Sequence, residues 1–419
     1  MRKVSRHLLP LLFLLYIASY LDRTNVGIAA LEMNKAIGLS AAAYGLGAGI
    51  FFIGYALFEV PSNIILARVG ARRWIARIAI SWGLLSCAMM FARGPVSFYA
   101  LRFLLGVSEA GYFPGIVYYL SHWYPQRYRA RAISRFMIGI PLSSMLGGPL
   151  GGMLLGLNGT WGLAGWQWLF LVEGLPAAIL GVVVWRTLLE RPDEATWLDA
   201  DERAWLNGEL SHESTRKAER GVLATLRYPV VWALAIPYFV IIFAQLSINF
   251  YLPTIIKDSL HLSNQRTGWI MGAISTVGMI GMLVNGWWCD RSKDRVMHSV
   301  VPLTIVTAGA LVAGLSGNPA VVVVGLALVI FGHNCMMPAF WCLPSMFLGG
   351  VGAAAGIALI NSIGNLGGFF GPNLVGRAKT ATGGYSVAFL VIAGLAFVAA
   401  LIALRLRALR EFKADHARL

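Results

Sequence analysis

An Asp-Arg pair inside an apolar run constrains this chain more than any other feature. Asp22 and Arg23 stand within residues 8–30, where nearly every other side chain is apolar or small. A helix rises about 1.5 Å per residue and bilayer hydrocarbon is about 30 Å thick, so the run is long enough to cross a membrane. Both charges then lie well below the surface. A charge at that depth costs on the order of several kcal/mol unless it is paired or lines a watery cavity. A merely structural span would not keep one, so the pair marks a pathway.

Eleven more apolar windows follow. The twelve expected spans are 8–30, 42–66, 74–93, 97–123, 132–157, 166–187, 229–252, 266–288, 299–316, 319–342, 350–376 and 384–406. The expected fold is an all-α membrane protein of twelve transmembrane helices in two pseudo-symmetric six-helix bundles. Residues 1–190 form the first bundle, 191–227 a cytoplasmic linker and 228–419 the second bundle. Part of 199–213 should be a surface amphipathic helix. With 58% hydrophobic and 13% charged residues, no soluble domain fits.

The net charge of +15 could suggest nucleic acid, but its distribution argues otherwise. With both termini cytoplasmic, Lys35, Arg93, Lys257, Arg266, Arg377 and Lys379 fall outside, and Arg23 and Arg102 lie within spans. Every other Lys and Arg falls on the cytoplasmic side. That is the positive-inside pattern, and it faces the charge toward anionic lipid. Cys87, Cys289, Cys335 and Cys342 lie in or beside spans without a Cys-x-x-Cys, and read as reduced packing residues. No metal site, cofactor or cleavable signal peptide is expected.

Two cytoplasmic loops share a signature. After span 8 the chain reads Gly286-Trp-Trp-Cys-Asp290-Arg291-Ser-Lys-Asp-Arg295. After span 2 it reads Asn63-Ile-Ile-Leu-Ala67-Arg68-Val-Gly70-Ala-Arg72-Arg73. Both resemble the G-x-x-x-D-R-x-G-R-R loop of the major facilitator superfamily, the first copy with Ala67 at the acidic position. The resemblance implies a conformational latch of Arg68, Arg72, Asp290, Arg291 and Arg295, capping helix ends and pairing with acids. In span 5, Gly147-Gly148-Pro149-Leu150-Gly151-Gly152 makes a small-residue face for close helix packing.

Depth relates the buried charges. Asp22 lies about 21 Å along span 1, roughly 9 Å from the outer surface, and Arg102 lies about 8 Å below that surface on span 4. The matching depths predict an Asp22–Arg102 pair. Glu109 is two turns below Arg102 on the same face, near the midplane. Carboxylates whose neighbouring cation is claimed by substrate can switch protonation, and the guanidinium of Arg23 suits a carboxylate ligand. Tyr20, Tyr55, His333, Asn334, Trp341, Asn361 and Asn365 are further candidates for the substrate path, with Gln245 and Asn249 behind them. Glu59 and Glu173, near Pro61 and Pro176, are expected to pair with the basic loops. The first half thus supplies carboxylates, and the second amides, an imidazole and aromatics.

Three longer stretches extend the resemblance. They are Tyr20-Leu-Asp22-Arg23-Thr-Asn25, Phe58-Glu59-Val-Pro61-Ser-Asn63, and Arg102-Phe-Leu-Leu-Gly106-Val-Ser-Glu109-Ala-Gly-Tyr-Phe113-Pro114-Gly115. With Trp168-Leu-Phe-Leu-Val-Glu173-Gly-Leu-Pro176 they look like the anion:cation symporter family of that superfamily. Its members move organic anions such as sugar acids, tartrate, phthalate or hydroxyphenylacetate, commonly with protons. The resemblance implies proton coupling at Asp22 and Glu109, with Arg102 as the partner of Asp22, and substrate binding at Arg23 and Tyr55. Ile140 stands where sugar-acid carriers have a glutamine, which favours a small dicarboxylate or aromatic acid over a polyhydroxylated ligand. The expectation is a monomeric importer of a small organic anion with protons in a bacterial inner membrane. Its rivals are an exporter or antiporter, a membrane-embedded enzyme and a nutrient sensor.

Overall fold

The computed structural model describes residues 1–214, 229–292, 294–344 and 351–416. The longer helices are α1 (Arg2–Ala36), α2 (Ala41–Val69), α3 (Ala71–Ala88), α4 (Pro95–Glu109), α5 (Tyr112–Ser121), α6 (Gln126–Met137), α7 (Gly139–Leu155), α8 (Gly165–Thr187) and α9 (Ala200–Ser214). They continue as α10 (Pro229–Leu260), α11 (Asn264–Ser292), α12 (Met297–Leu315), α13 (Pro319–Phe340), α14 (Val351–Thr382) and α15 (Ser386–His416). Local chemistry sets several boundaries. Ser40 caps α2 by accepting from the Ala43 amide at 3.1 Å. Asn318 caps α13, with Pro319 at its first turn.

Ten helices among the described residues are long and apolar enough to cross a membrane. The expected fourth span departs from a plain helix. It breaks between α4 and α5, where Gly111 takes φ +83°, a left-handed conformation that favours glycine. Breaking a helix frees carbonyl groups that water cannot reach. Here Ser62 donates to the Ala110 carbonyl at 2.6 Å, and the Trp74 indole donates to Ser62 at 2.9 Å. Arg77 reaches the Ser108 carbonyl at 3.3 Å. The sequence Glu109-Ala-Gly-Tyr-Phe-Pro114 carries this break, which an apolar window conceals.

The helices before α9 meet those after it along three contacts: α1 with α10, α2 with α14, and α7 with α11. The glycine face expected in span 5 makes the last one possible. A Cβ on Gly148 would sit 2.5 Å from the Gly268 carbonyl. The side-chain hydrogen bonds across this seam cluster at one end. Tyr44 donates to the Phe250 carbonyl at 3.0 Å, and Tyr251 to the Ala41 carbonyl at 2.9 Å. Asn264 donates to Glu32 at 2.7 Å, and the Ala42 amide to Thr380 at 3.2 Å. All lie at the helix ends remote from the chain termini.

The segment before residue 215 folds back onto the first helices. Asp199 and Glu202 exchange side-chain and backbone hydrogen bonds at the start of α9, a capping box. The Glu202 amide holds the Asp199 carboxyl below the usual carboxylate range. Lys3 bonds Glu202 at 2.7 Å, Arg127 bonds Glu209 at 3.1 Å, and His7 stacks on Trp197. The run Arg216–Arg220 lies outside the described residues.

At the first latch loop, the acid that arrives comes from the end of α8. Glu190 accepts from the amides of Ala71 at 3.0 Å and Arg72 at 2.9 Å, placing an anion on the positive end of α3. In the second loop Arg291 lies over the Trp287 ring, and Ser292 and Asn285 bond His298 at 2.7 Å each. Glu190→Ala should cost about 1 kcal/mol by removing this cap, and Glu190→Gln should cost less because it keeps one acceptor. Thermal unfolding of purified protein reads the order; equal stability of Glu190→Ala and wild type would show that the cap is idle.

Candidate functional site

Helix α1 is apolar on most sides but carries Ser19, Asp22, Arg23 and Asn25 toward its neighbours. Ser19 and Arg23 are four residues apart and share a face. Both reach the same atom: Arg23 Nε bonds Glu109 Oε1 at 2.7 Å, and Ser19 donates to it at 2.8 Å. The Glu109 side chain is fully buried, whereas that of Arg23 is 26% exposed. The pair therefore has one sealed partner and one open to the interior path. Because Glu109 is held through Nε, the two Nη groups remain beside Tyr55, whose ring lies 5.1 Å from the guanidinium carbon.

Glu109 is also the last residue of α4. The negative end of a helix dipole disfavours a carboxylate there. Its Oε2 has no hydrogen-bond partner. Arg23 is the cation that this carboxyl meets.

The expected Asp22–Arg102 pair does not form. Asp22 Oδ1 accepts from Ser86, in a short contact, and from Asn25 Nδ2 at 3.0 Å. Arg102 turns to α2 instead, donating to the Gly47 and Ala48 carbonyls at 3.4 and 3.1 Å, with its guanidinium over the Phe51 ring. The depth argument matched their heights, but Arg102 leaves α4 on the side facing α2. Its fork is spent on backbone oxygens, so Arg23 is the accessible cation of the two.

Glu59 and Glu173 also depart from expectation. Both are largely buried, at 7% and 5% exposure, and among the described residues neither forms an ion pair with a basic loop. The charge that acts on Glu59 is Arg23. Glu173 lies near Asp22 and Asn25.

Across the seam, Tyr238 of α10 stacks on Phe340, meets Trp341 edge-on at 4.9 Å, and bonds Asn361 at 3.4 Å. It lies within electrostatic range of Tyr20, Tyr55 and Arg23. Trp341, Asn361, Tyr20 and Tyr55 therefore gather around one centre, and Tyr238 is the member that sequence reasoning missed. Tyr20 is within hydrogen-bonding reach of Gln245. A cavity of about 40 Å³ lies beside this centre, lined by Thr24, Ser144, Gln245, Asn249, Ser275 and Asn334 among others. Its lining holds no charged side chain. His333 is directed elsewhere: it is buried, lies against the Ile241 backbone, and leaves Nδ1 unpartnered. Asn365 is half-buried on α14.

The arrangement can do one thing well. The Nη side of the Arg23 fork, beside Tyr55, suits a carboxylate, with aromatic walls and neutral amides around it. Such a ligand would compete with Glu109 for the same guanidinium. Ser19, Ser86, Asn25 and Tyr238 complete the site. Among these only Asn25, inside the stretch Tyr20–Asn25, carried a signal in the sequence.

A sequence profile of the Major Facilitator Superfamily matches residues 12–372. A protein of Agrobacterium vitis named "Putative tartrate transporter" is 45% identical over 96% of this chain and 94% of its own length. A "Quinolone resistance transporter" of Acinetobacter baumannii is 42% identical over 91% of this chain and 89% of its own length. Among solved structures, a bacterial homologue of the human lysosomal transporter Spinster, in an inward-facing and occupied conformation, superposes with a TM-score of 0.79. It covers 95% of this chain and 96% of that one at 17% identity, so it speaks to fold.

Double-mutant cycles separate the observed pairing from the one expected by depth. Arg23→Gln with Glu109→Gln should show a coupling energy of about 1–3 kcal/mol in unfolding. Asp22→Asn with Arg102→Gln should be additive within about 0.5 kcal/mol. The reverse ranking would overturn the geometry described here.

Proposed function

The chain belongs to the major facilitator superfamily, and from that membership we propose that it imports a small organic anion together with protons by alternating access. It is a membrane transporter and not an enzyme. The proposal extends this to twelve spans in two bundles, 1–190 and 228–419, joined by 191–227, with both termini cytoplasmic in a bacterial inner membrane. Under that orientation the end of the seam held by Tyr44 and Tyr251 is the outer one.

The observation that carries the reading is the Arg23–Glu109 contact at 2.7 Å. Substrate carboxylate and Glu109 are rivals for one guanidinium. When the anion takes Arg23, Glu109 is left buried, at a helix C-terminus, with Ser19 as its remaining partner. A carboxylate so placed takes up a proton. Anion and proton then bind together, which is the linkage a symporter needs. Asp22 and Arg102 flank this core as supports of the proton site. The uncharged cavity lining suits a ligand whose remainder is neutral and polar, held by amides and hydroxyls.

Arg23→Lys keeps the charge but loses the planar fork, and a carboxylate exploits that fork. Substrate affinity should fall by tenfold or more, on the order of 1.4 kcal/mol or above. Binding to the purified variant measures it, and wild-type affinity would reduce Arg23 to a counter-charge. Glu109→Gln should abolish uphill uptake driven by a pH gradient while retaining counterflow exchange in proteoliposomes, since exchange need not release the proton. Concentrative uptake by that variant would remove Glu109 from the coupling step. An exporter would instead show substrate leaving the cytoplasmic face against its gradient in inverted vesicles.

A further inference from the structure

We infer that Asp22, Asn25 and Glu173 form a second proton-binding site, distinct from the Arg23–Glu109 pair, in which Glu173 holds the proton. Glu173 sits on α8 at 5% exposure, and both of its carboxyl oxygens lack a hydrogen-bond partner. Asn25 Oδ1 and Asp22 Oδ2 are also unfilled. An ionised carboxylate only accepts, so a bare one in this wall would be severely destabilised. One proton changes the count. It turns a Glu173 oxygen into a donor, and the neighbouring Asn25 has its Oδ1 unfilled to accept it. Asn25 Nδ2 already donates to Asp22 at 3.0 Å. The resulting chain runs from the Glu173 hydroxyl through the Asn25 amide to Asp22.

The surroundings agree. Helix α8 packs on α3, α1, α7 and the short turn Met89–Phe91. From α1 it meets a second carboxyl, Asp22. From α3 it meets Cys87, whose thiol faces the Leu171 carbonyl at 3.9 Å. Arg77, further along α3, is taken up by Ser81 and the Ser108 carbonyl. Helix α7 and the turn carry no titratable side chain. Among the described residues no cation forms an ion pair with Glu173, and the site needs none once protonated.

The site stands whatever the cargo, so its test uses none. Infrared spectra of purified protein labelled with isotopic glutamate, at neutral pH, should show a protonated-carboxyl C=O stretch that moves with the label. The Glu173→Gln variant should lose it. Asn25→Ala should keep the band but shift it upward in frequency, because the acceptor is gone. Absence of the band in wild type, or its full intensity in Glu173→Gln, would overturn the proposal. Should Glu173→Gln fail to fold, Asn25→Ala decides: a shifted band supports the site and an unmoved one contradicts it.

Discussion

A guanidinium and a carboxylate 2.7 Å apart within the helical bundle are the contact on which the proposed function rests. Neither charge is tolerable there alone. Burying both is poor glue, since apolar side chains would pack as well without the desolvation penalty. The pair makes sense as something to be broken. Its asymmetry shows how: Glu109 is sealed, and Arg23 keeps part of its surface on the path. An anion can reach one partner without first dislodging the other.

The rest of the structure serves that contact. The break at Gly111 ends α4 at Glu109, and Ser62 and Arg77 quiet the carbonyls the break exposes. Arg102 is tied to α2 carbonyls, which leaves Arg23 as the cation open to the interior. Close crossings such as Gly148 on Gly268 bring the halves together, and Tyr44 and Tyr251 bond across the seam at one end. In the proposed alternating-access cycle the seam opens at that end and closes near the termini.

The sequence revealed the cast of this site better than its pairings. Asp22, Arg23, Arg102 and Glu109 stand out because charge in an apolar run is costly and rare. Depth along a helix gives height but not direction, and that is why Asp22 and Arg102 looked like partners. Ser86 and Ser19 went unnoticed because a hydroxyl in an apolar span can bond its own helix and carries no signal of a distant acid. Glu190 capping α3 was hidden by the long chain separation between them. The break at Gly111 was masked because apolar windows read composition, and glycine there looks like ordinary packing.

The most direct test of the account is a count of protons taken up when substrate binds. Purified protein in weak buffer, with a pH-sensitive dye, would be titrated with a transported organic anion once a carboxylate panel has identified one. If the anion displaces Glu109 from Arg23, binding draws protons from solution in the wild type, and Glu109→Gln binds without that uptake. Anion binding with no proton uptake by wild type, or equal uptake by Glu109→Gln, would contradict it.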